Sequence, residues 1–107
     1  MKPVLKEGSQ WRGEIVSIDQ AGNLLTNFLT EDLRPLSKTS KVWFEFGLKD
    51  KPFTLRGFLD SASNAAKGKL AAVPGPGGFV QFMISGGNAV QLTDLVVGSP
   101  ITVLFRT

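Results

Sequence analysis

The 107-residue chain contains neither cysteine nor histidine, and these two absences remove much of the commonest side-chain chemistry. Without cysteine there is no disulfide and no thiolate metal site, so the fold rests on packing alone. Without histidine there is no Ser-His or Cys-His catalytic pair, and the commonest metal ligand and usual general base are missing. No apolar run approaches the roughly 20 residues of a membrane span. The amino end, Met1-Lys2-Pro3-Val4-Leu5-Lys6-Glu7, lacks the apolar core of a secretion signal. The expectation is a cytoplasmic protein without a metal site. Asp19, Asp60 and Asp94 lie far apart in sequence, and no pair shows the arrangement of a two-carboxylate hydrolase. There is no glycine-rich loop running into a lysine at a helix start, and no catalytic residue is assigned.

What is present suits a single small domain over residues 1–107, with 42% hydrophobic and 20% charged residues, eight Phe and two Trp. A chain of this size buries roughly 60–65% of its unfolded surface, so the aromatic side chains supply much of the core. Twelve basic against nine acidic residues give a net charge of +3, mildly basic and short of a nucleic-acid footprint. Lys38, Lys41, Lys49, Lys51, Lys67 and Lys69 are interrupted by Glu45, Asp50 and Asp60 and read as a solvated surface.

Short strands separated by turn signals fill the chain. Gln10 to Ile18 reads as one strand and Leu24 to Phe28 as its hairpin partner. Lys41 to Phe46 alternates, with Val42, Phe44 and Phe46 on one face and Lys41, Trp43 and Glu45 on the other. Phe53 and Leu55 continue the alternation after a Lys49–Pro52 turn. Strands follow at Lys69–Val73, at Phe79–Ser85 and through Ile101, Val103 and Phe105. Thr30 to Leu33 predicts one helical turn at most, stopped by Pro35. The one helix expected is brief, capped by Asn88 and continuing through Ala89-Val90-Gln91-Leu92. This all-β pattern fits a sandwich or a small barrel.

The most informative stretch is Gly13 to Asn27. A strand ends at Asp19, turns on Gly22-Asn23, which tolerate positive φ, and resumes into Thr26-Asn27. So many short polar side chains at one corner form either a hydrogen-bonded structural knot or a binding edge. Gly86-Gly87-Asn88-Ala89 leads into a helix start, which presents free backbone N–H groups to an anion or purine edge, or else is a plain capped turn. Trp43 and Phe58 fall on faces opposite their strands' main apolar sets. As exposed aromatics they read as a partner or oligomer contact or as a base-stacking face, and Trp43 also as a second core layer.

The Gly13–Asn27 segment resembles the carboxy-terminal domain of the S-adenosylmethionine hydroxide adenosyltransferases, whose halide-using relatives include fluorinating and chlorinating enzymes. A second segment, Gly87-Asn88-Ala89-Val90-Gln91-Leu92 followed by Leu95 to Val103, is similar to that domain's closing motif, and the spacing of Gly68, Gly78 and Gly87 agrees. The resemblance implies a closed, mostly antiparallel Greek-key barrel of about six to seven strands. It also implies a ligand held between this domain and an α/β domain, usually of a neighbouring subunit in a trimer. Asn23 and the Asn88-Ala89 backbone would then face the adenine, with Asp19, Thr26 and Asn27 supporting the hairpin. The sequence departs from the family pattern where Ala21 replaces an aromatic residue, near Ala62, where a Tyr or Phe is expected, and at Pro76-Gly77, where the pattern has serines.

The expectation is therefore a non-catalytic barrel acting as a binding or assembly module, with at most a residual adenine or adenosine site. Its partner would be a second copy or an α/β protein, and Trp43 and Phe58 would form the partner surface. No cofactor is required; a retained ligand would be S-adenosylmethionine or adenosine. One alternative is a subunit or fragment of an S-adenosylmethionine hydrolase whose catalytic α/β domain lies on another chain. Another is a weak single-stranded nucleic-acid binder.

Overall fold

A computed structural model describes residues 2–107. Among the described residues eight strands form: β1 (Leu5–Glu7), β2 (Gln10–Ile18), β3 (Leu24–Leu29), β4 (Lys41–Leu48), β5 (Lys51–Arg56), β6 (Leu70–Pro74), β7 (Phe79–Ile84) and β8 (Pro100–Arg106). Helix α1 (Thr30–Thr39) joins β3 to β4, and α2 (Ala89–Thr93) lies between β7 and β8. Hairpins β2–β3, β4–β5 and β6–β7 join in the order β5-β4-β8-β2-β3-β7-β6, with β8 between the first two hairpins and β1 added to β2. Every strand pairing is antiparallel.

Alternation in sequence becomes burial in space, because successive strand side chains point to opposite faces. Val42, Phe44 and Phe46 of β4 are buried, while Lys41 and Glu45 are exposed. Val80 and Phe82 of β7, Ile101 and Val103 of β8, and Ile15, Leu24 and Phe28 join them in one core. Its centre is aromatic: Phe44 meets Phe82 edge-on at 5.3 Å and Phe28 at 6.4 Å, and Phe46 lies 5.3 Å from Phe82. Such edge-to-face pairs add about 0.5–1.5 kcal/mol each beyond area burial.

Closure does not occur, which corrects the closed barrel to a curled half-barrel of eight strands. β5 and β6 stand at the two ends of the strand order. Among the described residues one backbone hydrogen bond spans the gap between them, Leu59 N–H to Ala72 O at 2.9 Å. The chain explains this. β5 stops at Arg56, Gly57 turns away at φ +85°, and its N–H bonds back to Val42 O of β4. Pro52 and Pro74 also lack the N–H groups that a continuous ladder between β5 and β6 would use.

The helices differ from expectation too. α1 runs ten residues and carries Pro35 inside it, whereas the sequence predicts a single turn ending before that proline. Leu33, fully buried, and Leu36, partly buried against the core, flank the proline one turn apart. Their burial, about 1.5–3 kcal/mol per fully buried side chain, offsets the hydrogen bond that Pro35 cannot make. Thr30 is the first helical residue and not the cap, which is Leu29. α2 forms as expected: Asn88 caps it by accepting the Gln91 N–H at 3.0 Å. Among the described residues no helix is long and apolar enough to cross a membrane.

Candidate functional site

The turn between β2 and β3 is organised by one carboxylate. Asp19 Oδ1 accepts the backbone N–H groups of Ala21 and Asn23, both at 2.9 Å, and Oδ2 accepts Asn23 Nδ2 at 2.9 Å. The main chain closes the same loop through Gly22 N–H to Asp19 O, 3.0 Å, and Asp19 N–H to Asn23 O, 3.1 Å. Donors gathered on an ionised carboxylate favour its charged form. The Asn23 N–H above all, assisted by the Asn23 amide, holds the Asp19 carboxyl below its ordinary value. Gly22 takes the positive φ, +84°, while Asn23 does not, so the turn needs its glycine and leaves the asparagine for another purpose.

This turn packs on α2. The Val90 N–H donates to Gly22 O at 3.1 Å, and a Cβ at Gly22 would fall on the side chain of Asn88. Asn23, Asn88 and Ala89, far apart in sequence, therefore meet at one corner. Their chemistry there is constrained. A carboxylate only accepts, so Asn23 turns its NH2 to Asp19 and leaves Oδ1 over as an acceptor. A backbone N–H only donates, so Asn88 turns Oδ1 to Gln91 and leaves Nδ2 over as a donor. Both asparagines are partly exposed. Ala89 is fully buried, so its methyl belongs to the core.

The supporting residues divide. Asp19 belongs to the corner. Thr26 and Asn27 lie further along β3 in the interior, at 0% and 5% exposure. Thr26 Oγ1 donates to Val80 O at 2.7 Å and accepts the Phe28 N–H at 3.2 Å, tying β3 to β7. Asn27 Oδ1 accepts the Glu14 N–H at 2.8 Å and its Nδ2 donates to Lys2 O at 2.7 Å, fixing the amino-terminal segment onto the hairpin. Gly13 is required beside them, since a Cβ there would meet the Asn27 amide and stand 2.8 Å from Phe28 Cζ.

Trp43 is half-buried on the outer face of β4, opposite Leu104 on β8 and Arg56 on β5. Phe58 corrects the expectation of an exposed aromatic: at 7% exposure it belongs to the core. It follows the Gly57 turn, past the end of β5, so strand parity does not set its direction. It reaches the surface only as part of a hollow that it shares with Trp43. The sequence reading placed Lys41 beside that tryptophan but missed the two arginines. Lys41 shares its face of β4 by alternation, whereas Arg56 and Arg106 come from neighbouring strands, so one of the three cations was visible locally and two needed the register.

A family model for the SAM hydroxide adenosyltransferase C-terminal domain matches residues 13–102. The chain belongs to this family. Solved structures carry the same fold. An uncharacterized conserved protein from Thermotoga maritima superimposes with a TM-score of 0.78 at 24% identity, covering 97% of this chain and 39% of its own. A conserved hypothetical protein from Thermus thermophilus gives 0.65 at 21% identity, covering 97% and 38%. This member of the family thus spans about two fifths of the length of those structures. No curated protein matches it. The positions that the sequence reading set apart from the family pattern lie at the surface. Ala21 is exposed in the corner turn, Ala62 opens a short 3-10 turn, and Pro76-Gly77 sit in the β6–β7 connection.

Proposed function

We propose that this domain is a non-catalytic binding module that contributes the adenine side of a ligand site completed by a second protein surface. The observation that carries the reading is the pair of oriented amides. Asn23 offers an acceptor and Asn88 a donor at one corner, which complements the amino group and ring nitrogen of an adenine edge. Membership of the SAM hydroxide adenosyltransferase C-terminal domain family supports adenosine or S-adenosylmethionine as the ligand class. Ala21 supplies no stacking face, so the site as it stands is half of one. Apolar side chains around it suit a covering partner. Ile18 precedes Asp19 at 37% exposure, and Leu92 projects from α2 at 42%.

Thermal unfolding with adenosine and with inosine tests this. A one-site ligand at 100 times its Kd stabilises the fold by about 2.7 kcal/mol. Inosine replaces the amino donor by a carbonyl, sets it against Asn23 Oδ1, and should bind at least about tenfold more weakly, the cost of one mismatched hydrogen bond. Equal responses to both nucleosides, or none at millimolar adenosine, would sink the reading.

A second reading places the domain in an S-adenosylmethionine hydrolase whose α/β domain lies elsewhere. The greater length of the two structural neighbours favours it. Hydrolysis that arises only when an α/β partner is added would select it over the purely binding role.

A further inference from the structure

At the end of the sheet where α1 runs into β4 and β5 gives way to Gly57, away from the asparagine corner, a hollow of about 510 Å³ is lined by Trp43, Arg56, Lys41, Phe58, Ser37 and Ser40 among others. Its volume lies within the roughly 300–1,000 Å³ of small-ligand pockets. The charge around it is one-sided. Lys41 and Arg106 are directly opposed cross-strand partners, and Arg56 stands opposite Trp43. Like charges facing each other across a ladder destabilise it, yet three cations gather around one indole. The ion pairs among the described residues, Lys6–Asp32 and Arg34–Asp60, involve none of the three. Glu45, two residues from Trp43 on the same face of β4, stands opposite Thr54 and Thr102 and forms no ion pair with the three.

The indole already carries one cation. Arg106 lies over it with Cζ 5.7 Å from the ring centroid, which fixes the ring while its surface still lines the hollow. At the other wall α1 ends. The Ser37 hydroxyl is committed to Arg34 O at 2.9 Å. The Ser40 hydroxyl has no partner among the hydrogen bonds of the described residues, although its N–H caps the helix through Leu36 O at 2.8 Å. The carboxyl end of a helix carries partial negative charge, which Lys41, following the Ser40 cap, offsets, so an anionic group is favoured away from the helix carbonyls, at Arg56 and the Lys41 ammonium.

We propose that this hollow binds a single phosphorylated nucleoside, the base stacked on Trp43, the phosphate on Arg56 and Lys41, and Ser40 within reach of the ribose. One indole gives a platform for one base, whereas proteins that track single strands set out successive aromatics along a basic groove. A mononucleotide fits the observations better than a strand.

Adenosine monophosphate titrated into the full chain, with tryptophan fluorescence as readout, tests the assignment. Stacking should quench fluorescence saturably, and the quench should persist in Trp11→Phe and vanish in Trp43→Phe. Arg56→Gln, an exposed charge change that leaves the core untouched, should weaken binding at least about tenfold, the loss of one charge-assisted contact. Asn23→Ala should leave it unchanged, which keeps failure here separate from failure of the adenosine corner. The proposal is overturned by no quench at millimolar nucleotide. It is equally overturned by a quench that survives Arg56→Gln in full, by affinity that climbs with oligonucleotide length, or by a fluorescence change that follows protein concentration and so reports self-association.

Discussion

Gly22 lies against the side chain of Asn88 so closely that there is no room for a Cβ between them. The contact joins two motifs, one in the first hairpin and one at the start of α2, and it makes the hairpin turn and the helix cap a single unit. Gly22→Ala faces two costs. A non-glycine residue at φ +84° loses about 1–2 kcal/mol, and displacing Asn88 removes a cap worth about 1 kcal/mol. We expect a loss of about 2–3 kcal/mol in chemical denaturation. Asn88→Ala alone should cost about 1 kcal/mol. The double variant should be less unstable than the sum, because removing the amide relieves the clash. Strict additivity would show that the two residues do not meet in solution.

Asp19 gives the corner a pH dependence of definite sign. Its carboxyl is held below the ordinary value, chiefly by the Asn23 N–H. A depressed folded-state value means stabilisation that is fully present above the unfolded value of about 3.9 and fades as pH falls through the lower, folded one. The apparent Tm of the wild-type chain should therefore fall more steeply below about pH 4 than that of Asp19→Asn. Above pH 5 the two should differ by a constant offset. Parallel curves through the acid range would mean that the carboxylate does not hold the turn.

How far these relationships were legible depends on whether the governing force was local. β2 was readable from Gln10 to Ile18 and β8 through Ile101, Val103 and Phe105, because alternation on a half-buried strand is written in adjacent residues. The Asn88 cap was readable for the same reason. α1 was not, because a local rule, that the residue before proline avoids helix, was overridden by Leu33 and Leu36 entering a core assembled from distant strands. Closure was not readable either, since it turns on where β5 and β6 end relative to one another. At the site, the two asparagine motifs were visible one by one. That the two come together, Gly22 against Asn88 and the Val90 N–H on Gly22 O, required the fold.

Asn27 acts at a distance from that corner. Its amide accepts from Glu14 N–H and donates to Lys2 O while only 5% exposed. Asn27→Ala should cost about 1–3 kcal/mol, the usual penalty for leaving a buried polar partner unmatched. Asn27→Asp separates the two bonds, since a carboxylate still accepts from Glu14 but repels the Lys2 carbonyl. Amide exchange should then quicken at Glu14 in the alanine variant only, and protease access to the amino-terminal segment should rise in both. Slow exchange at Glu14 in Asn27→Ala would assign that amide's protection to the sheet instead.

Pro35 interrupts α1 where it is exposed, so replacing it removes a constraint and disturbs no packing. Alanine restores an N–H facing the Glu31 carbonyl one turn earlier and removes the ring that crowds it. Proline in a helix interior is about 3 kcal/mol worse than alanine. Part of that is returned by the freer unfolded chain, about 0.4–1 kcal/mol, and part is already absorbed by the way the helix accommodates the ring. Pro35→Ala should therefore stabilise the domain by about 1–2 kcal/mol, raising Tm by roughly 4–16 °C at the 4–8 °C per kcal/mol of a domain near this size. Thermal unfolding followed by circular dichroism measures both the shift and the gain in helical signal. A lower Tm would mean that the proline, through its fixed φ, sets the angle at which Leu33 and Leu36 enter the core. In that case its place in the helix is a packing requirement.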